Sequence, residues 1–379
     1  MRRSGRVMRV SAQLVRADSG YDVWSQTYDE NVKDVFQVQD QIANAVVEAL
    51  KAKLQLTLLQ AKEAGSSDRT TNSEAHDAYL LGEQSLKRDS ADSYKEAIRT
   101  FQRALQLDPR YAAAYAGLAE AEIRFSDYSS GERAALQRAS EVADQAVMLA
   151  PNAPEGYVAR SVIRGDFLWD WTGARADIER ALALDPNNAH ALADYAELLG
   201  KLGMLPQSLA TARRAVDVDP LSGEAWETLG SILRNDGQFA AAREAILRTE
   251  QLKPQAIHSG NRLAEIELLE GHPEQAMAIA VRARFPEIMI SLAAYTLGRQ
   301  DESQHALDTL IRKYPDILAY QIAEAYAWRG EPEQAFVWLD RAYAQHDGGL
   351  ASLKVDPLLF KLRSDPRYAA LLAKMGLPS

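Results

Sequence analysis

The sequence predicts an all-α protein: a superhelical solenoid of about eight helix-turn-helix units with a C-terminal capping helix, preceded by a short β-hairpin plus helix. Three observations predict it. A proline ending an apolar tail recurs, as LQLDP at Pro109, VMLAP at Pro151, LALDP at Pro186, VDVDP at Pro220 and EQLKP at Pro254, at spacings of 42, 35, 34 and 34 residues. Between these prolines lie two apolar segments of helix length, the second rich in small residues. A period of this size marks a stacked array, whose units are too small to bury a core alone. Residues 6–29, RVMRVSAQLVRADSGYDVWSQTYD, break the pattern with a strand-like alternation.

In that opening stretch Val10, Ala12 and Leu14 share one face, and Arg9, Ser11 and Gln13 the other. The spacing predicts strands over 6–16 and 21–29, joined by the turn Ala17-Asp18-Ser19-Gly20. Asp34 and Gln37 have capping-box spacing and open a helix whose apolar positions, Val35, Val38, Ile42, Val46 and Ala49, run to about residue 60. The domain reading is 1–63 for this hairpin and helix, 64–74 for a linker, 75–346 for the repeat array and 347–379 for the capping segment.

The clearest unit is GEAWETLGSILRNDGQFAAAREAILRTEQLKP, residues 223–254. Trp226, Leu229, Gly230 and Leu233 mark one face of a first helix. Ala242, Ile246 and Thr249 mark a second, and Pro254 ends it. On these residues the chain resembles the tetratricopeptide repeat family, with its W-x2-L-G-x2-Y, A-x3-F and P positions. The small position falls at Ala97, Ala139, Ala174, Ala242, Ala276, Ala306 and Ala335, and the large one at Phe101, Ile178, Ile246, Leu310 and Leu339. The unit at 189–220 departs, with Ser208 small and Ala212 large. The unit at 110–151 carries about eight extra residues, expected in the loop FSDYSSGERAAL. The tail DPLLFKLRSDPRYAALLAKMGLP is expected to cap the last unit's apolar edge. Trp169 and Trp171, in GDFLWDWTGA, are expected to fill the bend between two helices rather than grip a ligand.

The segment SGRVMRVSAQLVRADSGYDVWSQTYDENVKDVFQVQDQIANAVV resembles the C-terminal end of the TolB-like (FlgO-like) domain of bacterial signalling proteins. That resemblance implies a domain that precedes tetratricopeptide repeats and follows an adenylate cyclase or winged-helix module. Most of its sheet, and any output module, are not in these residues. Strand 6–16 or 21–29 is therefore expected to pair with a second copy, giving a homodimer through residues 1–60. The competing expectation is that residues 1–30 fold back on the first repeats.

A net charge of −10 disfavours nucleic acid as a partner, since phosphate binding rests on clustered positive charge. No apolar run approaches the length of a membrane span, so no membrane insertion is expected. The chain as given is expected in the cytoplasm, or in the periplasm as a piece of a longer anchored protein. Cysteine is absent, which removes disulfides and thiolate chemistry. No phosphate-binding loop, nucleophile elbow or H-E-x-x-H motif occurs. His76, His190, His258, His272, His305 and His346 scatter over different units. No catalytic residue, metal site or cofactor is expected, and the chain reads as non-enzymatic.

The tetratricopeptide resemblance implies a concave groove lined by the first helix of each pair. The ninth position of those helices reads Glu83, Glu120, Val162, Glu197, Ser231, Glu265, Tyr295 and Glu324, five glutamates in eight. The fifth position adds Tyr79, Glu227 and Tyr320. A like-signed wall focuses potential and favours a basic protein or peptide segment. The competing explanation is a solvated helical surface, because Glu is a good helix former. The fifth positions Tyr79, Ala116, Val158, Ala193 and Glu227 lack the Lys and Asn set of chaperone-type grooves. Two functions stay open: a scaffold binding a protein or peptide in its groove, and a regulatory or sensory component whose cyclase or transcriptional output is supplied by another module.

Overall fold

The computed structural model describes residues 2–4, 7–15, 22–31, 45, 70–88, 90–126, 133–253 and 259–377. Eight helical pairs follow one another among them. They are α1 Ser73–Leu86 with α2 Ala91–Leu107, α3 Ala112–Ser126 with α4 Arg133–Leu149, and α5 Glu155–Val162 with α6 Trp171–Leu184. Then come α7 Ala189–Lys201 with α8 Leu205–Val218, α9 Gly223–Asn235 with α10 Phe239–Leu252, and α11 Ser259–Leu269 with α12 Pro273–Ala280. The last two pairs are α13 Pro286–Thr296 with α14 Gln300–Lys313, and α15 Ala319–Arg329 with α16 Pro332–Gln345. A final helix, α17, spans Pro366–Lys374.

The unit singled out in the sequence shows why the chain folds so. Ser222 accepts the Ala225 amide at 3.1 Å and starts α9. Gly237, at φ 75°, makes the turn into α10, a conformation L side chains avoid. Ala242, Ile246 and Thr249 are fully or almost fully buried against the partner helix. The small and large positions predicted along the array, from Ala97 and Phe101 to Ala335 and Leu339, are all buried. Ser208 and Ala212 are buried too, the Ser208 hydroxyl donating to the Ala196 carbonyl at 2.6 Å. In the first unit the Phe101 ring sits between two helices that approach closely. A Cβ built on Gly82 or on Gly117 would lie 2.6 Å from it. The extra residues of the second unit fall between α3 and α4, and residues 127–132 there lie outside the described residues.

The structure adds to three expectations. The hairpin is there as β2 (Val7–Val15) and β3 (Asp22–Asn31), with Val10 opposite Tyr28 and Leu14 opposite Trp24. It is joined by a short β1, Arg2–Ser4, which pairs with Val7–Arg9, so strand 6–16 has partners on both sides over its first turn of alternation. The predicted turn at 17–20 and the predicted helix to residue 60 lie outside the described residues.

The second addition concerns residues 348–377. They do not simply cover the last unit's edge. Two 3-10 turns, Gly348–Ser352 and Pro357–Leu362, run along the inner face made by the first helices. Leu350, Ala351, Leu353, Leu358, Leu359 and Leu362 are buried there. Asp356, 5% exposed, accepts the Tyr320 hydroxyl at 2.7 Å. A Cβ on Gly203 would meet the Lys354 side chain, so the segment reaches the fourth unit as well as the eighth.

Third, the two tryptophans do more than fill a bend. α5 ends in a π-helical turn, Ile163–Phe167, and Trp169 follows at φ 52°. Trp169 stacks with both Tyr343 and His346, with ring centroids 4.8 and 4.7 Å away. The Trp171 indole N–H donates to the Met375 carbonyl at 2.6 Å, and His346 Nδ1 lies 2.8 Å from the Phe167 carbonyl. These contacts tie the third unit to the chain's end. One apolar core accordingly runs from Val158 and Trp171 through the later units to Leu377.

Candidate functional site

The face of the first helices divides into two halves. In the N-terminal half, α1, α3, α5, α7 and the start of α9 surround a cavity of about 300 Å³. Tyr79, Glu83, Glu120 and Glu197 of the predicted ladder all line it. Helical geometry puts them there, since α1, α3 and α7 present the same turn to the same side. The apolar floor is Ala116, Val158 and Val162, and Glu155, His190, Asp194 and Glu224 complete the wall.

Arg124 organises the charge. It contacts Glu120 at 2.9 Å, one helical turn back, and Glu224 at 2.5 Å, a hundred residues on. His190 Nε2 lies 3.5 Å from Asp194 and 3.9 Å from Glu224. Burial raises the Glu83 carboxyl to about 7, with Glu120 adding repulsion. Burial likewise raises Asp194 to about 7, against the pull of His190. For His190 burial opposes the charge, but Glu224 and Asp194 outweigh it and bring the imidazole to about 9. Burial also opposes the Glu224 charge, yet Arg124, then His190 and Lys253, hold that carboxyl well below its usual range. Tyr79 is held neutral by burial and by Glu83. Among the residues lining the cavity, six carboxylates (Glu83, Glu120, Glu155, Asp194, Glu197, Glu224) thus stand against one guanidinium and one imidazole, with Lys201 reaching Glu197 from outside it.

The C-terminal half of the ladder is occupied from within. Glu227 pairs with Arg262 at 3.0 Å and Glu265 with Arg234 at 2.6 Å. Tyr320 is 2% exposed and Glu324 and Glu265 are each 9% exposed, against the chain's own residues 348–358. The expectation that Tyr320, Glu265 and Glu324 line a free groove is corrected: apolar residues of the C-terminal segment cover that face. Lys201 bridges Asp166 at 2.7 Å and Glu197 at 3.6 Å. The ladder is therefore interrupted by cations, not a bare acidic wall. A signal for this was present in the sequence: Lys87, Arg124 and Lys201 each follow a ladder glutamate by four residues.

Among the described residues, Glu267, Glu270 and His272 form a group with metal-ligand spacing. Arg243 donates to both carboxylates and so offsets one of their two charges without an ion. No helix of the described residues is long and apolar enough to cross a membrane.

The tetratricopeptide repeat family pattern matches residues 196–257 and 288–349. The chain carries tetratricopeptide repeats over those two stretches. Among solved structures, the human IFIT1 dimer with m7Gppp-AAAA superposes with a TM-score of 0.53 at 16% identity, over 83% of this chain and 82% of that one. The Cut9–Hcn1 hetero-tetramer of the APC/C superposes with a TM-score of 0.53 at 15% identity, over 87% of this chain and 59% of that one. At identities this low the superpositions show a shared fold alone. Among curated proteins, the Rhizobium meliloti protein named "Putative adenylate cyclase 3" is 30% identical over 161 residues, 41% of this chain. The chain matches only 27% of that relative's length. A tetratricopeptide array is the fold of a protein-interaction scaffold.

Proposed function

We propose that this array is a non-enzymatic scaffold whose N-terminal half-groove takes a basic side chain of an extended protein or peptide segment. The carrying observation is the cavity under Tyr79 and Glu83, with six carboxylates to two cationic groups over an apolar floor. A lysine or arginine stem suits Ala116, Val158 and Val162, while its charge meets Glu83 and Asp194. Tyr79 supplies a ring beside that path. The same charge balance supports a basic segment over a polyanion such as the ligand in the IFIT1 structure. The test is fluorescence anisotropy of a labelled Lys/Arg-rich peptide, with an Asp-rich peptide and a single-stranded oligonucleotide beside it. Binding of the basic peptide alone, weakened about tenfold or more by Glu83→Gln with Tyr79→Ala, is expected. Raising salt from about 0.05 to 0.5 M should weaken it further, as screening shortens to a few Å. Binding untouched by the double variant refutes the assignment.

The likeness to the Rhizobium protein supports a second reading, in which the array regulates a cyclase or transcriptional output carried by another module. Its test is co-purification with such a module, and cyclic AMP production by this chain alone would contradict it. Self-association through β3 is also proposed. Among the described residues β3 pairs with β2 alone, leaving a ten-residue edge. Light scattering should show a dimer that becomes a monomer on deleting residues 1–31.

A further inference from the structure

Among the described residues the face of first helices begins at α1, and Tyr79 and Glu83 stand at that end of the half-groove. The other end is strapped. Arg124 of α3 reaches Glu224 of α9 at 2.5 Å, an ion pair that spans from the second unit to the fifth. His190 of α7 stands beside it, 3.9 Å from Glu224. Past this strap the inner face is filled by the chain's own C-terminal segment. A cavity of about 150 Å³ beyond Glu197 and Lys201 is walled by Gly348, Ser352 and Val355. A Cβ on Gly203 would come within 2.7 Å of the Lys354 side chain, and one on Gly349 within 2.7 Å of the Tyr320 ring. An extended segment laid along the first helices from α1 therefore runs into this chain's own residues at the fourth and fifth units. It cannot pass through.

Charge decides which end of a chain such a site takes. The wall carries six carboxylates against Arg124 and His190, so a single cationic side chain leaves it with an excess of negative charge. A carboxyl terminus would add to that excess. An amino terminus brings an α-ammonium group and a nearby basic side chain into one volume of about 300 Å³, at the lower end of the range for ligand sites. The strapped end also holds an acceptor that lacks a donor. Asp194 Oδ2 is buried with no hydrogen-bond partner, and His190 Nε2, at 3.5 Å, stands beyond ordinary hydrogen-bond reach. Asp194 lies on α7 one turn after His190, and so next to the strap, whereas Glu83 lies on α1.

Building on the half-groove as a cation site, we propose that it is a blind pocket for the free amino terminus of a partner protein, which narrows the partner from any basic stretch to the first residues of its chain. The α-ammonium group donates to Asp194 Oδ2 at the strapped end. A lysine or arginine in the next residues lies toward α1, with its stem on Ala116 and Val158 and its charge at Glu83, beside the Tyr79 ring. The partner's chain then leaves past α1.

Fluorescence anisotropy on the full chain tests this with two peptides of one sequence, Ala-Lys followed by a Gly/Ser tail labelled at its carboxyl end. One has a free amino terminus and the other is N-acetylated. The free peptide should bind about tenfold or more tighter, the range of a charge-assisted hydrogen bond. Asp194→Asn should bring the two affinities to within about threefold of each other. Equal binding of both peptides by the wild-type chain overturns the proposal and leaves the cation site standing, since the lysine is unchanged. Binding of neither peptide overturns both. A preference for the free amine that survives Asp194→Asn undiminished also overturns the proposal, because the amine then sits elsewhere. The wild-type comparison holds whether or not the variant folds.

Discussion

Replacing Trp171 with alanine should separate the array's end from its middle. The indole is 7% exposed, in a core continuous with Leu371 and Leu377, and its N–H satisfies the Met375 carbonyl at 2.6 Å. Truncating a buried Trp costs about 3–5 kcal/mol, and a stranded buried carbonyl about 1–3 more. The loss expected for Trp171→Ala is therefore about 4–6 kcal/mol, allowing for partial collapse of the site. Trp171→Phe keeps most of the ring volume and strands the carbonyl, so about 1–3 kcal/mol is expected. Trp226 serves as control. Its N–H donates to Pro220, six residues away, so Trp226→Ala perturbs its own unit without unfastening distant ones. Urea unfolding followed by far-ultraviolet circular dichroism measures all three. The wild-type chain should unfold in one transition, because the third unit and the C-terminal segment share a core. Trp171→Ala should split it, with the first units melting apart from the rest. A Trp171→Ala loss under about 1 kcal/mol, or a loss no larger than that of Trp226→Ala, would refute the tie.

Further expectations concern the groove and the packing. Glu83 and Asp194, each raised to about 7, ionise as pH rises from 6 to 8, so affinity for a basic peptide should increase over that window. Stability should move the opposite way, since a raised carboxyl's contribution is lost as pH climbs to its folded value. Glu83→Gln should flatten both trends in anisotropy and thermal melts. Gly117→Ala forces a methyl to 2.6 Å from the Phe101 ring and should cost about 1–3 kcal/mol. Phe101→Leu in the same chain should recover part of that, and additive losses in denaturant melts would count against the close approach. Lys201→Met leaves Asp166 without its partner at 2.7 Å and should destabilise by about 3–5 kcal/mol. Asp166→Asn added to it should restore stability, and a lone Lys201→Met with no measurable effect would show the pair to be solvated.

Much of the fold was legible because it is local. The Ala242-x3-Ile246 spacing decides which helix face is buried without reference to anything beyond the next unit, and the same holds at Ala97 and Phe101. The candidate site was legible by halves. Tyr79, Glu83, Glu120 and Glu197 do gather round one cavity, because position along an array translates directly into position in space. Glu265, Tyr320 and Glu324 obey the same positional rule, and only a segment further along, some thirty residues past Tyr320 and Glu324 and over eighty past Glu265, removes them from solvent.

The sequence by itself determined the repeat, its register and the side each first helix turns inward, since nearest-neighbour stacking follows from 34-residue periodicity and small residues at the crossings. Only the tertiary structure decided where residues 348–377 go, which units Trp169 and Trp171 hold together, and how Arg124 reaches Glu224. Those contacts span up to two hundred residues. They exist because the superhelix bends far enough to bring distant units within reach, and the sum of many small rotations between units is not written in any one of them.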